Sequence, residues 1–124
     1  MSKVLVIDDD PVIVAMYKKQ FEAGGFEVAS ATDGDEGYRA IDTFKPDVVL
    51  LDLNMPNVSG PEWLRRVRSQ PGLKTLPVVV LTAGTFASQV RAAKEAGATQ
   101  VLNKGRLDAK RVAEVVSSAL ATRH

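Results

Sequence analysis

Asp8, Asp9, Asp52, Thr82 and Lys104 are the residues of this 124-residue chain whose types and places could do chemistry together. Each follows a short apolar run. Val4-Leu5-Val6-Ile7 ends in Asp8-Asp9-Asp10, Val48-Val49-Leu50-Leu51 in Asp52, Val78-Val79-Val80-Leu81 in Thr82, and the stretch around Val101-Leu102 in Lys104. Three carboxylates held close repel one another, and a divalent cation among them would make the cluster tolerable. A hard, oxygen-only donor set suits Mg²⁺ better than zinc. The chain has no cysteine, and its one histidine is the terminal His124. A carboxylate beside Mg²⁺ can act as a nucleophile toward a phosphoryl group and form an aspartyl phosphate. Such transfer needs mainly positioning and neutralisation of the equatorial oxygens. A lysine ammonium can serve one oxygen as a point charge, and a threonine hydroxyl can donate to another.

Each residue alone has a plainer reading. An aspartate after a strand is often a helix cap or a turn former, and Asp10 is assigned to the cap. A threonine there is more often a turn residue, and a lysine is more often solvated surface. The chemical reading rests on all of them falling at one edge of one sheet.

That edge follows from the elements. Short apolar runs bounded by turn signals read as strands buried on both faces. Asn54 and Pro56 stop the central one near Asp52, since proline cannot continue a central strand. Between the strands lie helical patterns. The first runs from Pro11 to about Ala23, with Asp10 as cap, Ile13, Met16, Tyr17 and Phe21 at helical spacing, and Gly24-Gly25 as the stop. Others span about Asp35–Phe44, Pro61–Arg68, Phe86–Ala96 and Leu107–Ala121. In the last, Val112, Val115, Val116, Ala119 and Leu120 make one apolar stripe. Weaker strand patterns occupy 26–31 and 100–103. A βα unit repeated five times implies a doubly wound α/β fold, a five-stranded parallel sheet with helices on both faces. The three fully apolar strands belong in the middle and the two weaker ones at the edges, giving the flavodoxin-like order 2-1-3-4-5. In that order Asp8, Asp9 and Asp52 converge at the switch point, where ligands sit in open α/β sheets.

Composition narrows the function classes. Length suits a single domain, 1–124, with 45% hydrophobic and 25% charged residues. A net charge of +1 offers no clustered footprint for nucleic acid. No apolar run reaches the roughly 18 residues that span a bilayer. The absence of cysteine and of a signal-peptide pattern leads us to expect a cytoplasmic protein without a membrane partner.

The whole pattern resembles a receiver domain of a bacterial two-component response regulator, of the single-domain, chemotaxis-regulator-like kind. The resemblance is carried by Asp8-Asp9, by Leu50-Leu51-Asp52-Leu53-Asn54-Met55-Pro56, by Gly60, by Leu81-Thr82-Ala83 and by Lys104. It implies that Asp52 is the phosphoacceptor and a histidine kinase or histidine phosphotransfer protein the donor. Asp9 would bind Mg²⁺ directly, Asp8 through water, and Asn54 through its backbone carbonyl. Thr82 and Lys104 would contact the phosphoryl group. It implies no enzyme in the usual sense, only a phosphoacceptor with at most weak self-phosphorylation and self-dephosphorylation.

Two positions depart from the family pattern. Val101 stands where an aromatic residue is usual, three before the lysine, and Gly105 stands where proline is usual after it. A cis bond before a non-proline residue costs about 2.5–4 kcal/mol, so a trans bond and a looser turn are expected at Gly105. Both departures fall on the face formed by 86–121, through which a downstream protein target is expected to bind. With Thr99-Gln100 in place of acids, we expect a monomer or weak dimer. No helix-turn-helix segment follows residue 121, so direct nucleic-acid binding by an output domain is not expected.

Three other readings are weaker. A docking module independent of phosphorylation is suggested by Val101 and Gly105, although every residue for the chemistry is present. A phosphohydrolase would want a second acid two positions after Asp52, where Asn54 stands. A nucleotide-binding fold would want a glycine fingerprint where Asp8-Asp9-Asp10-Pro11 stands.

Overall fold

The computed structural model describes residues 2–53, 59–82, 87–103 and 108–121. Five strands and five helices alternate: β1 (Lys3–Ile7), α1 (Pro11–Ala23), β2 (Glu27–Ala31), α2 (Gly34–Phe44), β3 (Val48–Asp52), α3 (Gly60–Arg68), β4 (Val78–Thr82), α4 (Ala87–Glu95), β5 (Gln100–Asn103) and α5 (Ala109–Ala121). All strand pairs are parallel and the order is β2-β1-β3-β4-β5, as the apolar runs imply.

Strand pleating divides the core in two. Leu5, Ile7, Val49, Leu51, Val78 and Val80 face α2, α3 and α4, where they meet Ile41, Trp63, Leu64, Val67 and Ala93. Val4, Val6, Val48, Leu50, Val79 and Leu81 face α1 and α5, where they meet Tyr17, Phe21, Val112, Val116 and Ala119. Burial on both faces is why β1, β3 and β4 read as unbroken apolar runs. β2 and β5 are only partly covered, as edge strands are.

The helix ends obey local chemistry. Asp10 caps α1, accepting from the Val12 N–H at 2.9 Å, and Pro11 begins the helix. At its far end the Gly25 N–H donates to Glu22 O at 3.0 Å and the Phe26 N–H to Phe21 O at 3.0 Å. Gly25 takes φ +89°, a conformation that favours glycine. Asp33 caps α2 by accepting from the Glu36 N–H at 2.8 Å.

One expectation on α1 is corrected. Tyr17 and Phe21 are buried and Ile13 is half-buried, but Met16 is 44% exposed and lies beside Val12 at 74%. Residues 13, 17 and 21 lie on one inward face, whereas 12 and 16, one turn apart, form a ridge outside it. On α5, Val112, Val116 and Ala119 are buried and Val115 and Leu120 flank them, as the stripe predicts.

Candidate functional site

β1 and β3 pair in the register Ile7↔Leu51, so Asp8 and Asp52 leave neighbouring strands at the same level. Asp8 is 2% exposed and Asp52 4%, while Asp9 is exposed. Two buried carboxylates side by side are costly without partners or a cation. The Asp8 Oδ1 accepts the Asp10 N–H at 3.0 Å, and the Asp8 N–H donates to Ala31 O at 3.1 Å, which ties the turn to β2. Thus Asp10 has the cap and Asp8 points into the cluster. The adjacent acids have separate roles, as their places before Pro11 suggest.

One oxygen from each of Asp8, Asp9 and Asp52 lies within 4.8 Å of the others. Oxygens on an octahedral Mg²⁺, bonded at about 2.0–2.1 Å, stand roughly 2.9 to 4.2 Å apart. The trio therefore fits that ion after a small contraction, or with water replacing one carboxylate. No sulfur or imidazole contributes, so the donor set suits a hard cation.

Thr82 lies one step beyond Asp52 on the neighbouring strand, since Asp52 pairs with Leu81 and the Leu53 N–H donates to Leu81 O at 2.8 Å. It is 2% exposed and pairs in register with Asn103 of β5. Asp8, Asp9, Asp52 and Thr82 thus share the carboxyl edge of three adjacent strands. Asn54, Lys104, Gly105 and the turn after Thr82 lie outside the described residues, as does the trans bond expected at Gly105. Val101 is half-buried, pairs with Val80 and packs on the α4 side of the sheet.

Leu53, the residue after Asp52, packs against the start of α3. Gly60 opens α3 so close to Leu53 that a Cβ would collide with the leucine Cδ1 and stand 3.4 Å from its Cα. Ser59 caps that helix, its Oγ accepting from the Glu62 N–H at 3.3 Å. The sequence reading missed this cap, although Ser59-Gly60-Pro61-Glu62 has the capping-box spacing. The buried Trp63 Nε1–H donates to Gly34 O at 2.8 Å and joins α3 to the start of α2. No local pattern announces that bond.

Comparison with known proteins gives the same answer as the geometry. A family model described as the response regulator receiver domain matches residues 4–117. The transcriptional regulatory protein PrrA of Mycobacterium tuberculosis is 37% identical over 113 residues, which is 91% of this chain and 48% of PrrA. The transcriptional regulatory protein KdpE of the same organism is 39% identical over 104 residues, 84% of this chain and 45% of KdpE. The chain thus spans a little under half of each. The chemotaxis response regulator CheY4 of Vibrio cholerae superposes with a TM-score of 0.88 at 31% identity, covering 96% of this chain and 98% of CheY4. With five parallel strands in the order 2-1-3-4-5 and three acids at their carboxyl edge, the chain belongs to the family of response regulator receiver domains.

Proposed function

We propose that this receiver accepts a phosphoryl group on Asp52 from a phosphohistidine of a histidine kinase or histidine phosphotransfer protein, and that the modified form changes its affinity for a protein target. The convergence of Asp8, Asp9 and Asp52 within 4.8 Å carries the reading. A buried carboxylate beside two others is suited to hold a cation and to be reached by a phosphoryl group in its presence.

In the proposed step an Asp52 carboxylate oxygen bonds to phosphorus as the phosphorus–nitrogen bond of the donor breaks. The electron pair stays on the imidazole nitrogen, which is protonated. Bound Mg²⁺ would neutralise charge on the phosphoryl oxygens. Asp9 is proposed to hold it directly, Asp8 through water, and Asn54 by its backbone carbonyl. Thr82 is proposed to donate its hydroxyl to one phosphoryl oxygen, and Lys104 to pair with another. The exposed ridge of Val12 and Met16 on α1, the helix that follows the acids, favours a protein donor over a small one.

Output is proposed to pass through the 86–121 face, by a shift between two states that the phosphoryl group stabilises unequally. Val101 is too small to act as an aromatic rotamer switch there. No helix among the described residues is long and apolar enough to cross a membrane. The cytoplasm, a monomeric or weakly dimeric state and at most weak self-catalysed phosphorylation and dephosphorylation are parts of the same proposal.

The test is intact mass after incubation with acetyl phosphate and Mg²⁺, with Asp52→Asn alongside. One phosphoryl group gained only with Mg²⁺, and lost in the variant, supports the reading. No gain would favour the second reading, a docking module that works unmodified, for which Val101 is the motivating residue.

A further inference from the structure

The end of α2 puts Tyr38, Ile41, Asp42 and Lys45 on one face, at the spacing of i, i+3, i+4 and i+7. That face and the α3–β4 connection enclose a cavity of about 260 Å³, lined also by Leu73 and Leu76. Pro46 precedes β3 and Leu76 precedes β4, so the cavity lies at the amino edge of the sheet, opposite Asp52. Ile41 and Leu76 are buried and Leu73 is half-buried, which makes its floor apolar. Asp42 and Lys45 are exposed at its rim and form no ion pair among the described residues.

Both walls are held by the protein's own contacts. The Arg66 guanidinium lies 3.9 Å from the Tyr38 ring centre, and its Nη1–H donates to Asp35 Oδ1 at 3.3 Å, so the ring is held against α3. On the other side the Arg68 Nη1 donates to Leu73 O at 2.9 Å and Leu76 O at 2.6 Å. Its Nε–H and Nη2–H both donate to Gly97 O, at 3.1 and 2.8 Å, which ties the connection to the turn after α4. A planar fork can serve three carbonyls in this way; an ammonium cannot. Walls fixed in advance cost a ligand little ordering. The helix stop is a second, independent observation. Lys45 ends α2 at φ 53° and ψ 64°, its N–H donating to Ile41 O at 3.0 Å. Glycine ordinarily fills this left-handed position, and Lys45 is the one non-glycine residue with positive φ among the described residues. Strain that glycine would remove is kept, and what lysine adds is a cation at the rim, one turn from the Asp42 carboxylate.

We propose that this cavity binds a small apolar molecule bearing both an ammonium and a carboxylate, the chemistry of an apolar α-amino acid. Asp42 takes the ammonium, Lys45 takes the carboxylate, and the apolar part lies on Ile41, Leu73 and Leu76. A lone cation would be repelled by Lys45 and a lone anion by Asp42, whereas a zwitterion answers both. The volume falls just below the usual range for ligand pockets, about 300–1,000 Å³, and limits the occupant to a single ring or branched chain. Roughly a dozen heavy atoms at ordinary ligand efficiency give a dissociation constant of about 1 mM. Binding needs neither Mg²⁺ nor a phosphoryl group, so it does not rest on the receiver reading.

The experiment is amide NMR of the full, unmodified chain titrated with L-phenylalanine or L-leucine to about 20 mM, some twenty times the expected constant. Amides in 38–46 and 70–76 should shift and saturate, while those of 8–10 stay in place. Phenethylamine and 3-phenylpropanoate, with one charge each, and N-acetyl-phenylalaninamide, with none, should bind at least about fivefold more weakly, the worth of one exposed ion pair. Asp42→Asn should weaken phenylalanine binding by a similar factor. Lys45→Gly should do the same and yet raise the urea midpoint, because it relieves the left-handed strain, so the weaker binding is not a failure to fold. No saturable shift in 38–46 and 70–76 with either amino acid refutes the site. Equal affinity for the capped amide refutes the zwitterion, as does an affinity within twofold of wild type in Asp42→Asn or Lys45→Gly. Failure of the protein to gain mass from acetyl phosphate would refute the phosphoacceptor reading alone, and the titration would still decide the cavity.

Discussion

Replacing Gly60 by alanine tests how closely the start of α3 packs on Leu53, the residue after Asp52. Gly60 is the first residue of α3 and its φ is not positive, so its backbone would accept a side chain. On local grounds alone Gly→Ala should stabilise by about 0.4–1 kcal/mol, by lowering the entropy of the unfolded chain. The tertiary contact reverses the sign. The new Cβ would overlap the Leu53 Cδ1 and approach its Cγ at 3.2 Å and its Cα at 3.4 Å. The leucine tip can rotate, but the Cα can move only with the strand. Leu53 is buried and its N–H is bonded to Leu81 O, so there is little room to yield. Overpacking of this kind costs about 1–3 kcal/mol. The net expectation is a loss of about 0.5–2 kcal/mol.

Urea unfolding followed by fluorescence of the sole tryptophan, the buried Trp63, reads this directly. The midpoint should fall by about 0.3–1 M with an unchanged slope. A double-mutant cycle assigns the cause. In a Leu53→Ala background the overlap is gone, and Gly60→Ala should become neutral or stabilising. Because Leu53 follows Asp52 directly, Gly60→Ala should also slow phosphoryl uptake from acetyl phosphate. A rise in midpoint on the wild-type background, or an equal penalty with Leu53 truncated, would refute the close-approach argument.

Other outcomes follow from the same contacts. Trp63→Phe forfeits the bond to Gly34 O and leaves a small cavity; together these should cost about 2–3 kcal/mol in urea unfolding followed by circular dichroism. Asp10→Ala removes the α1 cap and should cost about 1 kcal/mol by the same measurement, without abolishing phosphoryl uptake. Mg²⁺ at about ten times its dissociation constant should stabilise the fold by about 1.4 kcal/mol, seen as a rise in Tm. That rise should shrink in Asp9→Asn and vanish with chelator. An unchanged Tm at all Mg²⁺ concentrations would remove the metal from the mechanism.

Much of this molecule was legible before folding was considered. The helix cap Asp10, the stop at Gly24-Gly25 and the double burial of β1, β3 and β4 are governed by residues close in sequence. The strand order followed from which runs are apolar on both faces, and the meeting of Asp8, Asp9, Asp52 and Thr82 followed from that order, because parallel strands end at one edge. Other features depended on how the elements pack. Met16 has a helical spacing suited to the core, yet α1 turns a face defined by Ile13, Tyr17 and Phe21 inward and leaves Met16 outside. Arg68 looks like one more cation in a basic last turn, but the turn after α4 brings Gly97 O to its fork. Gly60 acquires its role only when Leu53 arrives beside it, and Trp63 finds its partner 29 residues away. Periodicity and capping report the nearest few residues, so they specify elements and their ends. Which long-range pair satisfies a donor, or forbids a Cβ, is settled by the packing of elements against one another.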